Sequence, residues 1–539
     1  MRDMTVAEAI LQTLAGAGVH TVFGLPGVHN LAFWEAYGDG LPQIIGTRHE
    51  QTTVYAADGL ARAGGGLGVS LTTTGPGAAN AVAAFGEAAA CGSPVLLIAS
   101  DTSTRIARPG VVRGSLHESA DQAAMVAAMA KVVYRPRTGV EAVRAVARGA
   151  AAAMQWPRGP VYVGIPNDLL DQPAAPLAVA EPRRTAPQET DIRAALALIE
   201  SADRLVLWVG GGAVQSDATE DLGHLADRLA APIVTSWAGR GVVPAASPWL
   251  IDVPPHEPEV TELIARAELM IAVGTAFDGP NTMNWKLPVP AGLIAINADA
   301  ADATKNYPAS LALVADAREA IRILADAVTP RDADPSAVLE LRARVRNRLS
   351  RERETADAWQ FVTAVDAVVA HSDPVVVNDM AIPGYWAAGY VRMHRPRRMQ
   401  YPVGWGTLGY ALPAAIGAAA LGDRPVLTIC GDGGFMFAPG ELAVLRQHGL
   451  PVTVLLVDDG GYGMLRFDQA AAGEPHSGVD LARPDFTMLA RSFGIDCRTT
   501  NLAGLADALK ESLGANAPRM VLLEHELYPP ISVSARWPR

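Results

Sequence analysis

Cysteine is scarce in this chain of 539 residues: Cys91, Cys430 and Cys497 are its three. They lie far apart with no C-x-x-C spacing, which excludes a disulfide framework and a cysteine-built zinc site and suits a reducing cytoplasm. Basic residues are in deficit, 44 Lys and Arg against 56 Asp and Glu, for a net charge of −12. Neutralising phosphates takes clustered Lys and Arg, so no nucleic-acid partner is expected. Long unbroken apolar runs are missing too. Two uncharged stretches, Leu67 to Gly86 and Tyr401 to Gly422, approach the length of a membrane span, but Gly and Pro break each in its first half. They read as strand, turn and buried helix, and no membrane partner is expected. No secretory leader is visible, since Thr5-Val6-Ala7-Glu8 has the form of a capping box opening an amphipathic helix.

What the chain has in quantity is apolar residues, 50% of the total, enough to bury more than one core; length alone suggests about three or four domains. Strand-like runs alternate with Ala-rich helical patterns throughout, which predicts an α/β fold of parallel sheets flanked by helices. A stretch carrying Pro173, Pro176, Pro182 and Pro187 reads as a linker. A second boundary falls near Thr329 to Asp334, followed by an Arg-rich helix, Leu339 to Thr355, expected to be a solvated connector. Three domains are therefore expected, over 1–170, 191–328 and 358–539. In the middle one, Leu205 to Val209 runs into Gly210-Gly211-Gly212, but Gln215 stands where a dinucleotide fingerprint needs its third glycine, which argues against NAD.

The sharpest chemical signal is Gly431-Asp432-Gly433 followed by Asp458-Asp459-Gly460-Gly461-Tyr462-Gly463. Between Asp432 and Asp459 the sequence reads as turn, helix and the buried strand Val452 to Val457. Such a unit returns the chain to its starting edge and sets both acids at the carboxyl ends of neighbouring parallel strands, where open α/β sheets hold ligands. A hard cation such as Mg²⁺, with oxygen ligands and a substrate's phosphates, suits that place.

Five ordered motifs carry a resemblance that covers nearly the whole chain: Phe23-Gly24-Leu25-Pro26-Gly27-Val28-His29, Arg48-His49-Glu50-Gln51, Thr74-Gly75-Pro76-Gly77-Ala78-Ala79-Asn80, Gly406-Thr407-Leu408-Gly409-Tyr410, and the paired aspartate segments. Together they resemble the thiamine diphosphate enzymes of the acetolactate synthase, pyruvate oxidase and 2-oxo acid decarboxylase type. The resemblance implies pyrimidine-binding, central and diphosphate-binding domains. It implies Mg²⁺ on Asp432, Asp459 and the Gly461 carbonyl, with Gly433 and Gly434 letting the diphosphate approach and Pro26, Asn80, Tyr462 and Gly463 also lining the cofactor. Glu50 would activate the aminopyrimidine, Gly406 would present its carbonyl to the 4′-amino group, and Leu408 would wedge the cofactor into its bent form. His29, His117 and Gln122 are the candidates for steering the reaction, the last two in Leu116-His117-Glu118-Ser119-Ala120-Asp121-Gln122.

The implied activity is decarboxylation or carboligation of a 2-oxo acid through a C2 carbanion and enamine, in a homodimer or homotetramer. A FAD-containing acetolactate synthase and a catalytically silent thiamine-fold binding protein are the alternatives. One departure stands out: Asp occupies 458 and 459, where the family usually carries Asn, and this adds negative charge beside a polyanion.

Overall fold

The computed structural model describes residues 4–36, 38–108 and 110–531. It contains three six-stranded sheets with every strand pair parallel. The first runs Gln43–Gly46, Thr21–Gly24, Gly68–Thr72, Val95–Asp101, Val161–Pro166, Val132–Tyr134. The last runs Met399–Gln400, Val375–Asn378, Val426–Gly431, Val452–Asp458, Arg519–Glu524, Asp496–Thr500. Counted within each sheet, both have the order 2-1-3-4-6-5. The middle sheet, from Leu205–Val209 to Leu311–Val314, has the order 3-2-1-4-5-6 of a doubly wound nucleotide-binding fold.

Helices cover both faces of the sheets, so the central strands Val426–Gly431 and Val452–Asp458 are buried at every position and mostly apolar, with Thr428, Thr453 and Asp458 the polar exceptions. The capping box is present, Thr5 Oγ1 accepting from the Glu8 amide and the Glu8 carboxylate from the Thr5 amide. Among the described residues no helix is long and apolar enough to cross a membrane.

The first and last domains meet along a seam of two helices, Glu50–Gly64 and Ala411–Ala419. Small residues let the backbones touch: a Cβ on Gly417 would lie 1.8 Å from the Ala56 carbonyl oxygen, and one on Gly59 would lie 2.0 Å from that of Ala414. Glu50 opens the first of these helices, and the second follows directly on the Gly406-Thr407-Leu408-Gly409 loop, so the seam fixes both motifs relative to one another.

The Arg-rich helix differs from the sequence expectation. It spans Ser336–Arg351 and buries Val338, Leu341, Val345 and Leu349. Arg342 and Arg346 pair with the buried carboxylate of Asp252, and Arg348 pairs with Glu257 and Glu259. Three of its arginines answer acids of the middle domain, which periodicity within the helix could not reveal, while Arg344 and Arg351 stay exposed as expected.

Candidate active site

Asp432 follows immediately on the strand Val426–Gly431, and its neighbour in the sheet, Val452–Asp458, ends beside Asp459. Asp432 is buried, and burial together with the Asp458 charge pushes its carboxyl up to about 6. Burial and then the Asp432 charge push Asp459 up to about 7, against the pull of Arg466. Two acids are thus held together where water is scarce, an arrangement that a cation relieves.

Other observations fit a hard cation and a diphosphate. Oδ1 of Asp432 is buried with no hydrogen-bond partner. Around it the chain leaves no room for side chains: a Cβ on Gly433 would meet the Tyr462 ring at 2.7 Å and the Gly461 carbonyl at 3.2 Å, and one on Gly434 would meet Asp379 at 2.9 Å. Gly461 has φ of 151°, open to glycine and strained for other residues. Among the described residues no three His, Cys, Asp or Glu side chains cluster around one point. A cation here would therefore draw on two carboxylates, a backbone carbonyl and its ligand's own oxygens, as Mg²⁺ commonly does.

The extra negative charge at 458 and 459 is answered by arginine, which sequence spacing did not disclose. Arg466 donates to Oδ1 of Asp459 at 2.8 Å and to its carbonyl at 2.6 Å. Arg483 donates through Nε to both oxygens of Asp458, at 3.0 and 3.2 Å. Arg466 lies on the helix Gly463–Ala471 that starts at the motif's last glycine, so its position was the available signal.

In the first domain, Glu50 is 9% exposed and accepts from Asn80 Nδ2 at 3.0 Å, while a Cβ on Gly77 would lie 3.4 Å from its Oε1. The Arg48-His49-Glu50-Gln51 and Gly75-Pro76-Gly77 motifs therefore meet. His29 and His117 also meet, their rings edge to face with centroids 5.2 Å apart. Burial, followed by the neighbouring His117, lowers the pKa of His29, and Nδ1 of each ring is buried without a partner. Gln122 is fully engaged: Oε1 accepts from the Gly75 amide at 2.5 Å, and Nε2 donates to Ser100 and to Tyr162. It braces the Gly75 turn, where a Cβ would strike the His117 carbonyl at 2.3 Å. Pro26 is exposed in the loop after Thr21–Gly24, between these elements and solvent.

Leu408 is half-buried between Gly406 and Gly409, at φ of 74° and 77°. The loop is pinned by Asp379, whose carboxylate accepts from the Gly409 amide at 3.0 and 3.1 Å and which burial pushes up to about 6. Sequence reading passed over Asp379, although a lone acid straight after the apolar strand Val375–Asn378 was a usable sign. Glu441 is a second such residue: it accepts from the Arg48 amide at 3.1 and 3.2 Å, tying the segment behind Asp432 to the approach of Glu50. Among the described residues no hydrogen bond or ion pair joins the Glu50 carboxylate to Gly406, Leu408 or the Asp432–Asp459 pair of the same chain.

A cavity of about 530 Å³ lies at the switch point of the middle sheet, between Gly211, Gly274, Asn297 and the first domain's Arg62 and Arg158. A smaller one, about 200 Å³, lies between the middle and last domains beside Met380 and Met464.

Comparison with known proteins agrees with this geometry. Residues 4–125 match the model for the thiamine pyrophosphate enzyme N-terminal TPP binding domain, 192–324 that for the central domain and 379–525 that for the C-terminal TPP binding domain. The chain is 34% identical to a Pseudomonas aeruginosa protein named "Probable 2-ketoarginine decarboxylase", over 97% of this chain and 94% of that one. It is 29% identical to a "Probable acetolactate synthase large subunit" of Methanocaldococcus jannaschii, over 96% and 91%. The solved Rhodococcus jostii thiamine diphosphate-dependent 4-hydroxybenzoylformate decarboxylase shares the fold, with a TM-score of 0.83 at 24% identity over 97% of this chain and 99% of that one. With three domains matched in order, the chain belongs to the thiamine pyrophosphate enzyme family.

Proposed function

We propose that this enzyme decarboxylates a 2-oxo acid with thiamine diphosphate held by Mg²⁺, and that protonation to release an aldehyde is the main outcome. The observation that carries the reading is the buried Asp432–Asp459 pair with the unpartnered Asp432 Oδ1 in the last domain, together with the buried Glu50 carboxylate held by Asn80 in the first. Bound thiamine diphosphate supplies the nucleophilic carbon and the electron sink for loss of CO₂.

The chain's own residues have separable tasks. Asp432, Asp459 and the Gly461 carbonyl hold the cation, Arg466 and Arg483 balance the two aspartates, and Gly433, Gly434, Tyr462 and Gly463 shape the diphosphate turn. Glu50 exchanges a proton with the aminopyrimidine, oriented by Asn80. Gly406 and Leu408 set the cofactor's bend, with Asp379 as a positioning residue for their loop. His29 and His117, adjacent and partly shielded, are placed to move a proton at the substrate's oxygen, and Gln122 positions the turn beneath them. The resemblance to the Pseudomonas protein favours decarboxylation; that to acetolactate synthases supports carboligation as the second reading.

A panel of 2-oxo acids assayed with Mg²⁺ and thiamine diphosphate, scored for CO₂, aldehyde and acyloin, tests the reading. CO₂ with equimolar aldehyde is expected. Glu50→Gln should lower the rate by about 10²–10⁴-fold. Acyloin as the main product would shift the assignment to carboligation, and no CO₂ from any acid would refute it.

Because among the described residues the Glu50 carboxylate makes no polar link to the metal-binding half of its own chain, we propose that each complete site joins the first domain of one chain to the last domain of another. Mixing inactive Glu50→Gln and Asp432→Ala chains should then restore activity. No recovery despite subunit exchange seen by mass spectrometry would rule that out.

A further inference from the structure

The two neighbouring acids after the strand Val452–Asp458 are held by arginine in different ways. Arg483 bonds both oxygens of Asp458 through Nε, at 3.0 and 3.2 Å, and reaches the Asp458 carbonyl through Nη2 at 3.2 Å. That carboxylate is fully engaged. Arg466 bonds only one oxygen of Asp459, Oδ1, at 2.8 Å, and the same Nη2 donates to the Asp459 carbonyl at 2.6 Å. The other oxygen, Oδ2, faces the turn, 2.1 Å from where a Cβ on Gly463 would stand.

Arg466 is itself firmly placed. It belongs to the helix Gly463–Ala471, its side chain is 14% exposed, and its Nη1 pairs with Asp480 at 3.5 Å. A guanidinium on Oδ1 stands where a metal ion would have to sit to use that oxygen, and like charges so close repel strongly. Asp459 can therefore meet a cation through Oδ2 alone, as the single oxygen of an asparagine would. Asp432, 4% exposed, brings the unpartnered Oδ1 from the neighbouring strand end.

How many oxygens a carboxylate gives decides which hard cation it suits. Ca²⁺ gathers about 6–8 oxygens in a flexible shell and accepts both oxygens of one carboxylate, whereas Mg²⁺ demands a near-ideal octahedron at about 2.0–2.1 Å. The narrow bite of a carboxylate using both oxygens fits that octahedron poorly.

We propose that Arg466 sets the cation preference of this site: by holding Oδ1 it confines Asp459 to one-oxygen coordination and so favours Mg²⁺ over Ca²⁺. Arg466 is a positioning residue, acting through Asp459. The inference rests on the reading of a cation that holds the diphosphate, and names the residue that chooses the ion.

Calorimetry of thiamine diphosphate binding to metal-stripped protein, repeated with Mg²⁺ and with Ca²⁺, reads the preference as a ratio of affinities without turnover. The wild-type ratio should favour Mg²⁺. Arg466→Met should lower it about 10–100-fold, the usual scale for losing a group that orients a metal ligand, and Arg466→Lys should restore part of it. Asp459→Asn leaves a single oxygen, so adding Arg466→Met to it should not change the ratio further. Circular dichroism checks that each variant folds, and Arg466→Gln replaces Arg466→Met should the latter fail. A wild-type protein that binds equally well with either ion overturns the inference, as does a folded Arg466 variant with the wild-type ratio. So does a shift of the same size with and without Asp459→Asn, which would place the effect elsewhere than at Oδ1. In each of these cases binding that EDTA abolishes leaves the cation reading standing, whereas binding that EDTA does not affect refutes that reading and this inference with it.

Discussion

Replacing Gly417 by Ala should destabilise the protein, whereas the same change at Gly223 should stabilise it. Both glycines sit in helices, Ala411–Ala419 and Thr219–Leu229, where alanine is favoured by about 1 kcal/mol on propensity alone. At Gly223 a new Cβ meets nothing within 4 Å, so that gain is realised. At Gly417 it would stand 1.8 Å from the Ala56 carbonyl oxygen, 2.6 Å from its carbon and 2.8 Å from the Leu60 nitrogen. All three are backbone atoms that no rotamer change can move aside. Relaxing the first contact to ordinary separation opens the seam by roughly 1.5 Å, and a gap of even 0.5–1 Å forfeits about a quarter to a half of each dispersion contact along it. Overpacking of this kind costs about 1–3 kcal/mol, and contact with unyielding backbone puts Gly417 at the upper end of that range, which leaves Gly417→Ala up to about 2 kcal/mol worse than wild type after the helical gain. Urea unfolding followed by circular dichroism measures both variants. Since the helix that opens at Glu50 and the helix that follows the Leu408 loop both lie on the seam, cofactor C2–H exchange should slow in Gly417→Ala as well. A Gly417→Ala protein as stable as Gly223→Ala would refute the close approach of the two helices.

Removing the metal with EDTA should abolish calorimetric binding of thiamine diphosphate, with Asp432→Ala giving the same loss and Asp459→Asn retaining binding; affinity unaffected by EDTA would exclude a bridging cation. Glu441 is pushed up to about 7 by burial, against hydrogen bonds from Thr52, Arg48 and His49. The folded state therefore keeps this proton to higher pH than the unfolded chain does, and stability should fall as pH rises from about 4.5 to about 7, by up to about 3 kcal/mol. Glu441→Gln should flatten that slope, and urea midpoints at pH 5 and pH 8 that differ equally in the two proteins would show that Glu441 is not its source.

The alternation of Val-rich runs with Ala-rich helices made the α/β class legible, because parallel strands buried on both faces have few other sequences available to them. The Asp432 and Asp459 turns were legible for a similar reason: acids and glycines at strand ends have few uses besides binding. Contacts made across long stretches of chain left no such trace. Nothing near Arg483 announces that it faces Asp458, and nothing in the Arg-rich helix reveals the acids at 252, 257 and 259. The charge at 458 and 459 looked like a liability when read along the chain and is balanced when read in space.

The shared strand order of the first and last sheets reaches beyond their architecture. In each sheet the helix that follows the second strand is the one lying on the seam, so the two halves are structural counterparts that grip one another through matching backbones. Exchange of parts between relatives is constrained accordingly. A hybrid that imports one half alone would set an unfamiliar helix against Ala56, Gly59, Ala414 and Gly417, and the fit would fail at the joint. The middle sheet has a different connectivity and no share in that joint, so it is the natural unit to trade, and with it come Trp237 and His256, which line the cavity beside Met380 and Met464. Inheritance could then reshape that cavity while the joint between the outer halves passes on intact.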